Sequence, residues 1–223
     1  MRSINKLRNN NPDNSMNKFF SRRNHVFLLK SGRFHSEPVV IKFYSEPEPL
    51  EKIKTESRIL NMLQRYQINV PSLILTNLNF IIIEYIPGTP VSELGLNINK
   101  GSWIVALAEW MHKIHNIPSK NKKYVFLKGD CNLRNFIYFK NRIYGLDFEE
   151  EIYGDPRLDL GEICFFILDV HSKDPGRWEM IKKFITAYEN CSGNKISHLE
   201  KFINQSFKNA KKRRKLKKDS LEH

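Results

Sequence analysis

The stretch Pro87-Gly88-Thr89-Pro90 separates two parts of this 223-residue chain that follow different periodicities. Ahead of it, short β-branched and aromatic runs alternate with turn residues. His25-Val26-Phe27-Leu28-Leu29 and Pro38 to Tyr44 read as strands around a turn at Ser31-Gly32-Arg33. Pro49 to Gln64 reads as a helix with Ile53, Leu60 and Leu63 on one stripe. Ser72 to Leu75 and Phe80 to Ile86 read as a hairpin turning at Asn77-Leu78-Asn79. Behind the break, helical spacing dominates. Ser102 to His115 carries Trp103, Leu107, Trp110, Met111 and Ile114. Arg177 to Tyr188 carries Trp178, Ile181, Ile185 and Tyr188. Lys195 to Phe207 carries Ile196, Leu199, Phe202, Ile203 and Phe207. This order predicts an α+β, bilobal chain and argues against one doubly wound parallel sheet.

A hydrophobic content of 40% at this length supplies a sizeable core. No apolar run approaches the roughly 18 residues of a membrane helix, and no secretory signal pattern is present. Cys131, Cys164 and Cys191 have no paired spacing, so reduced thiols and a cytoplasmic location are expected. The net charge of +13 is concentrated. Lys208, Lys211, Lys212, Arg213, Arg214, Lys215, Lys217 and Lys218 crowd one segment. The expected boundaries are an Asn-rich, poorly ordered arm over 1–17, a strand-rich lobe over 18–86 and a helical lobe over 87–207. A basic tail over 208–220 and a tag-like remnant over 221–223 follow. The tail is expected to be a solvated, poorly packed extension of the last helix. It lacks aromatic residues, so any nucleic-acid binding through it would be non-specific and salt-sensitive.

Two constellations stand out. Val39-Val40-Ile41-Lys42 places a lysine inside an apolar strand, and Glu56 falls on the buried stripe of the following helix. A carboxylate there is costly unless paired, and Lys42 is the natural partner. The second is Leu127-Lys128-Gly129-Asp130-Cys131-Asn132-Leu133-Arg134-Asn135-Phe136, followed by Gly145-Leu146-Asp147-Phe148. Tyr124 to Leu127 reads as a strand, and Phe136 to Phe139 with Ile143 to Leu146 reads as a hairpin. Asp130, Asn135 and Asp147 therefore fall in turns at strand ends. One carboxylate to orient a hydroxyl, with an Asn and a later Asp to hold magnesium on a nucleotide's phosphates, suits phosphoryl transfer.

This segment resembles the catalytic and metal-binding motifs of the protein-kinase-like superfamily, in its aminoglycoside phosphotransferase and choline kinase branch. The resemblance runs in order from Val26 to about Val170. It implies a kinase-like fold, with a small antiparallel-sheet lobe bearing one helix and a mainly helical second lobe. It further implies ATP and magnesium as cofactors. Asp130 is then the catalytic aspartate and Asn135 and Asp147 are the metal ligands. Lys42 grips the inner phosphates, Glu56 holds Lys42, and the backbone near Glu84, Tyr85 and Ile86 binds adenine. Gly154-Asp155-Pro156-Arg157-Leu158-Asp159-Leu160 repeats another pattern of the branch, in which the second aspartate, here Asp159, braces the catalytic loop.

Departures accompany it. Lys128 replaces the family's His, and no glycine-rich loop is present. Ser21-Arg22-Arg23-Asn24 stands where phosphates would be covered, and Glu149-Glu150-Glu151 is a candidate for attracting a cationic substrate. His112 and His115, three apart on a helix, lack further metal-ligand partners in the sequence. The implied activity is transfer of the γ-phosphoryl group of ATP to a hydroxyl of a small molecule, a sugar or amino alcohol. Two alternatives stay open. One is a compact atypical protein kinase or ATPase of the RIO or tRNA-threonylcarbamoylation-associated type. The other is a non-catalytic nucleotide-binding scaffold.

Overall fold

Alternation of β-branched and aromatic residues builds one antiparallel sheet, and the helical stripes build a separate helical body. A computed structural model describes residues 16–19, 24–30, 36–45, 48–95, 101–119 and 123–219. The backbone separates into two compact units. The first takes the chain to Arg65, Val70–Ile86 and Phe148–Glu150. The second takes Tyr66–Asn69, Pro87–Asp147 and Glu151 onward.

In the first unit, strands β1 (Met16–Phe19), β2 (His25–Leu29), β3 (Val39–Phe43), β4 (Leu73–Thr76) and β5 (Phe80–Glu84) pair in the order β1-β2-β3-β5-β4. Every pairing is antiparallel. Lys42 lies on the central strand β3, opposite Val26 on one side and Ile81 on the other. Helix α1 (Pro49–Arg65) buries Ile53, Ile59, Leu60 and Leu63, and with them Glu56. The Ser57 hydroxyl meets the Thr76 hydroxyl at 3.1 Å, tying α1 to β4. The stripe read from the sequence is thus the buried face. Met16 and Asn17, expected in the arm, belong to β1. The remaining arm, the turn at Ser31 to Arg33 and the Ser21 to Arg23 segment lie outside the described residues.

In the second unit a short strand β6 (Thr89–Pro90) flanks the hairpin of β8 (Phe136–Phe139) and β9 (Arg142–Gly145). Lys140 and Asn141 turn that hairpin with φ of 47° and 61°, the left-handed pair that matches strand twist. Strand β7 (Val125–Leu127) pairs with β10 (Ile152–Gly154). Helix α2 (Ser102–His115) packs on α4 (Arg177–Ser192), and α3 (Arg157–Val170) packs on α5 (Leu199–Asp219). Gly161 permits the second contact, because a Cβ there would lie 2.6 Å from Phe202 Cβ and 2.8 Å from its carbonyl carbon.

Two helical readings need correction. On α4 the buried residues are Met180, Phe184 and Tyr188, while Trp178 is 61% exposed. The two stripes differ by about one residue, and Trp178 sits in the first turn where little packs against it. The last helix starts at Leu199 rather than Lys195 and continues past Phe207 to Asp219, so the first part of the basic tail is ordered helix. Ala210 is buried, and the Arg214 guanidinium grips both oxygens of Asp169 on α3 at 2.8 and 2.9 Å. Lysine and arginine are good helix formers. A single buried alanine and an inter-helix ion pair suffice to carry the helix on, where an apolar stripe alone would end it. Among the described residues, no helix is long and apolar enough to cross a membrane.

Candidate active site

In the first unit the chemistry gathers around one buried ammonium. Lys42 Nζ donates to Glu56 Oε2 at 2.7 Å and stands 3.0 Å from Glu149 Oε1. Lys42 is 7% exposed and Glu56 2%, so the pair is desolvated and depends on its partners. The Tyr44 hydroxyl also donates to Glu56 Oε2. Burial, then the Glu56 charge, pushes the Tyr44 phenol far above its ordinary value, so it stays a donor. Asn24 Nδ2 donates to Glu149, and the Asn24 side-chain oxygen accepts from Ser45 N at 3.3 Å. Glu149, read as one of three acids that could draw in a cation, is instead engaged by Lys42 and Asn24. At the end of β5, Glu84 Oε2 accepts from Ser72 N at 3.1 Å and Ser72 Oγ at 2.9 Å, closing the β4–β5 edge. Tyr85 stacks on Phe19 with ring centroids 6.4 Å apart, and Ile86 is buried.

In the second unit β7 delivers the chain into the loop Lys128 to Asn132. Gly129 adopts φ +82°, and a Cβ there would meet Ile152 Cδ1 at 2.8 Å, so the turn requires glycine. Asp159, in the first turn of α3, clamps this turn. Its Oδ2 accepts from Lys128 N at 2.6 Å and its Oδ1 from Gly129 N at 3.1 Å. His115 Nε2 lies 3.1 Å from the same Oδ2, and His115 Nδ1 lies 2.9 Å from the Tyr188 hydroxyl. Burial pushes the Asp159 carboxyl up, but His115 and the two amides outweigh it and hold the group below the usual carboxylate range. Next to this brace, Asp155 Oδ1 accepts from Arg157 N at 2.9 Å at the start of α3.

The side chain of Asp130 is exposed, and its Oδ1 accepts from Asn132 N at 3.2 Å. Asn132 Oδ1 accepts from Arg134 N, opening a short 3₁₀ turn, Leu133–Asn135, that carries Asn135. Asn135 Nδ2 donates to the Asp130 carbonyl at 3.3 Å, and Asn135 O accepts from Leu146 N at 2.8 Å. Asp147 follows with φ +64°, a left-handed backbone that turns the chain after β9. Lys128 resolves the question raised by the missing His. It is 3% exposed, and its Nζ donates to the carbonyls of Asp130 at 3.1 Å and Asp147 at 3.0 Å. One ammonium therefore joins the two loops that carry the implied catalytic and metal-binding residues.

Sequence reasoning missed three contributors. His115 was visible, because it continues the buried stripe of α2; the argument that singled out Glu56 applies to it equally. Both ring nitrogens of His115 are engaged by Tyr188 and Asp159, which removes it as a metal ligand. Glu162 opens the apolar run of α3 and accepts from Cys131 N at 3.1 Å through Oε2. Burial, then its neighbours Asp130 and Asp159, pushes the Glu162 carboxyl up to about 7. The third is Tyr188, read only as core. Cys131 itself is buried, and burial followed by Asp159 and Glu162 pushes its thiol well up, so it is packing rather than a nucleophile.

No protein-family model matches the chain, and no curated protein matches it by sequence. Solved structures do match. The macrolide 2'-phosphotransferase MphH from Brachybacterium faecium superposes with a TM-score of 0.68 at 14% identity, over 88% of this chain and 83% of that one. Ethanolamine kinase from Plasmodium vivax gives 0.64 at 13%, over 86% and 70%. The APH(2")-IIa complex with streptomycin and ATP gives 0.60 at 17%, over 79% and 77%. At these identities the likeness establishes architecture, and the chain has the protein-kinase-like fold of the aminoglycoside phosphotransferase and choline kinase branch.

Proposed function

We propose that this protein is an ATP- and magnesium-dependent phosphotransferase that moves the γ-phosphoryl group to a hydroxyl of a small molecule. The observation that carries this reading is the clamp on the Asp130 loop. Asp159 fixes the Lys128 and Gly129 amides, Lys128 Nζ holds the Asp130 and Asp147 carbonyls, and Asn135 Nδ2 meets the Asp130 carbonyl. All this anchoring acts on backbone or on the Asn amide, and the Asp130 carboxylate is left exposed to solvent. Such a preorganised carboxylate suits a hydroxyl that must be oriented and relieved of its proton.

In this mechanism Asp130 accepts a hydrogen bond from the acceptor hydroxyl and aims its oxygen at the γ-phosphorus. The new O–P bond forms as the bond to the β-phosphate oxygen breaks. The hydroxyl proton passes to Asp130 and ADP leaves. Lys42, held by Glu56, binds the inner phosphates, and the backbone of Glu84, Tyr85 and Ile86 offers the edge for adenine. Asn135 and Asp147 supply an amide oxygen and a carboxylate, the hard donors that suit magnesium. Asn135 Nδ2 is spent on the Asp130 carbonyl, which leaves its Oδ1 as the atom for a cation. Bound magnesium would neutralise developing charge on the phosphates. The neighbours, a macrolide 2'-phosphotransferase, an ethanolamine kinase and an aminoglycoside-type enzyme holding streptomycin and ATP, support a small-molecule acceptor here. Three unpaired cysteines, two of them buried, support a cytoplasmic setting.

The test is transfer from labelled ATP to a panel of sugars, amino alcohols and proteins, with Asp130→Ala beside the wild type. Label on a small hydroxyl compound that disappears in the variant supports the reading. Label on protein alone, or nucleotide binding with no transfer to anything, contradicts it.

A further inference from the structure

We propose that the acceptor is an anion, whose reacting hydroxyl sits on a molecule that also carries a phosphate or carboxylate bound by Arg213 of α5 with Arg134 of the catalytic loop. This rests on the phosphotransferase reading above and specifies its acceptor class.

Arg213 reaches the catalytic loop through a single side chain. Its Nη2 lies 3.9 Å from Glu162 Oε1, and Glu162 Oε2 accepts from the amide of Cys131, the residue after Asp130. At 3.9 Å the contact is an ion pair and not a hydrogen bond. The Arg213 side chain is 62% exposed, so most of its donors face solvent. Its neighbour Arg214 is committed to Asp169, which fixes the roll of α5 and keeps Arg213 on the loop side. Arg134 projects from the loop itself, four residues after Asp130, and is exposed. Among the described residues no carboxylate lies within 4.0 Å of its guanidinium. The same holds for Lys208, Lys211, Lys212 and Lys215 on α5.

The acids beside the loop are poor hosts for a cationic acceptor. Asp159 is buried and used by His115 and two amides. Glu162 is half-committed to Cys131 N and faces a guanidinium. Around the loop stand two exposed guanidinium groups, Arg134 on the loop and Arg213 on α5, and the planar fork of N–H donors that each carries matches phosphate and carboxylate. The positive field of α5 around them would gather anions and hasten their encounter.

The experiment uses the full chain and matched alcohols: glycerol with glycerol 3-phosphate, glucose with glucose 6-phosphate, and the cations choline and ethanolamine. Each is titrated calorimetrically in the presence of a non-hydrolysable ATP analogue with magnesium, and again without nucleotide. Initial rates with ATP are measured alongside. The phosphorylated member of a pair is expected to bind at least about ten-fold more tightly than its neutral parent. Arg213→Gln is expected to remove that preference through KM, with kcat and the KM for ATP little changed, and Arg213→Lys to restore part of it. Arg134→Gln should act in the same direction. A preference for choline or ethanolamine would overturn the proposal. So would equal binding of neutral and phosphorylated members, or a preference that survives both substitutions. Binding of an RNA oligonucleotide with none of the small anions would assign α5 to nucleic acid and overturn it too. The titrations need no turnover, so they decide the acceptor's charge alone. Failure to bind the nucleotide would instead sink the phosphotransferase reading.

Discussion

Lys42 and Asp130, the two residues on which the proposed chemistry most depends, are held by opposite devices. Lys42 is itself buried, and its charged end is pinned by Glu56 and Glu149. Asp130 is exposed, and almost everything that fixes it acts on the backbone around it: Asp159 on two amides, Lys128 and Asn135 on its carbonyl. A phosphate-gripping ammonium benefits from a dry, preset position. A carboxylate that takes a proton needs access, so the fold immobilises the frame of Asp130 and leaves its exposed head with one local contact, from Asn132 N. The difference predicts that substitutions around Lys42 lower stability and nucleotide affinity together, whereas around Asp130 stability or turnover falls while nucleotide affinity is largely spared.

The largest effect on stability should come from the brace. Asp159→Ala leaves His115 and two amides buried without their acceptor, and should cost about 3–5 kcal/mol in chemical denaturation. A loss under about 1 kcal/mol would show that the loop does not depend on Asp159. Next is Lys42→Met, which leaves Glu56 and Glu149 facing each other without a cation. It should cost about 2–3 kcal/mol and weaken ATP binding by about ten-fold or more. Unchanged nucleotide affinity would break the comparison on the Lys42 side. Lys128→Met keeps the stem but loses both carbonyl contacts. A cost of about 1–2 kcal/mol is expected, with kcat falling more than the KM for ATP rises. A variant as active as wild type would show that the two loops hold themselves.

The smallest effect concerns Glu162. Its folded carboxyl titrates near 7 against 4.5 for the free group, so the folded state holds a proton that the unfolded chain has released. Wild-type stability from this group is therefore full below about 4.5, declines as pH rises through about 7, and levels off above it. Glu162→Gln keeps an oxygen for Cys131 N and does not titrate. It should gain on the wild type through that window, by on the order of 1 kcal/mol above pH 8 after discounting for partial exposure and the Arg213 charge. Parallel stability–pH curves would contradict it.

Much of this was legible from residue patterns. The strand-strand-helix-strand-strand succession ahead of the break, α1 with Glu56 inward, α2 to the residue, and the hairpin carrying Asn135 and Asp147 follow from strand and helix periodicity; the pairing of β3 with β5 does not. What escaped were partners distant in sequence. Asp159, implied by the resemblance to brace the catalytic loop, also meets His115 across 44 positions, and periodicity marks that a polar group is buried without naming its partner. Lys128 itself looked like a defect in a motif. Its role appears only when β9 returns Asp147 beside the loop. The basic segment does extend the last helix with exposed side chains, as read; the contacts of Ala210 and of Arg214 with Asp169 on α3 are what the pattern did not show.

The most direct test of the central claim measures two quantities on Asp130→Ala: affinity for ATP with magnesium, and transfer to an authentic hydroxyl acceptor. An exposed, singly purposed carboxylate predicts affinity within about three-fold of wild type and transfer reduced by about 10²–10⁴. Transfer at the wild-type rate, or loss of nucleotide binding in step with transfer, would contradict the account.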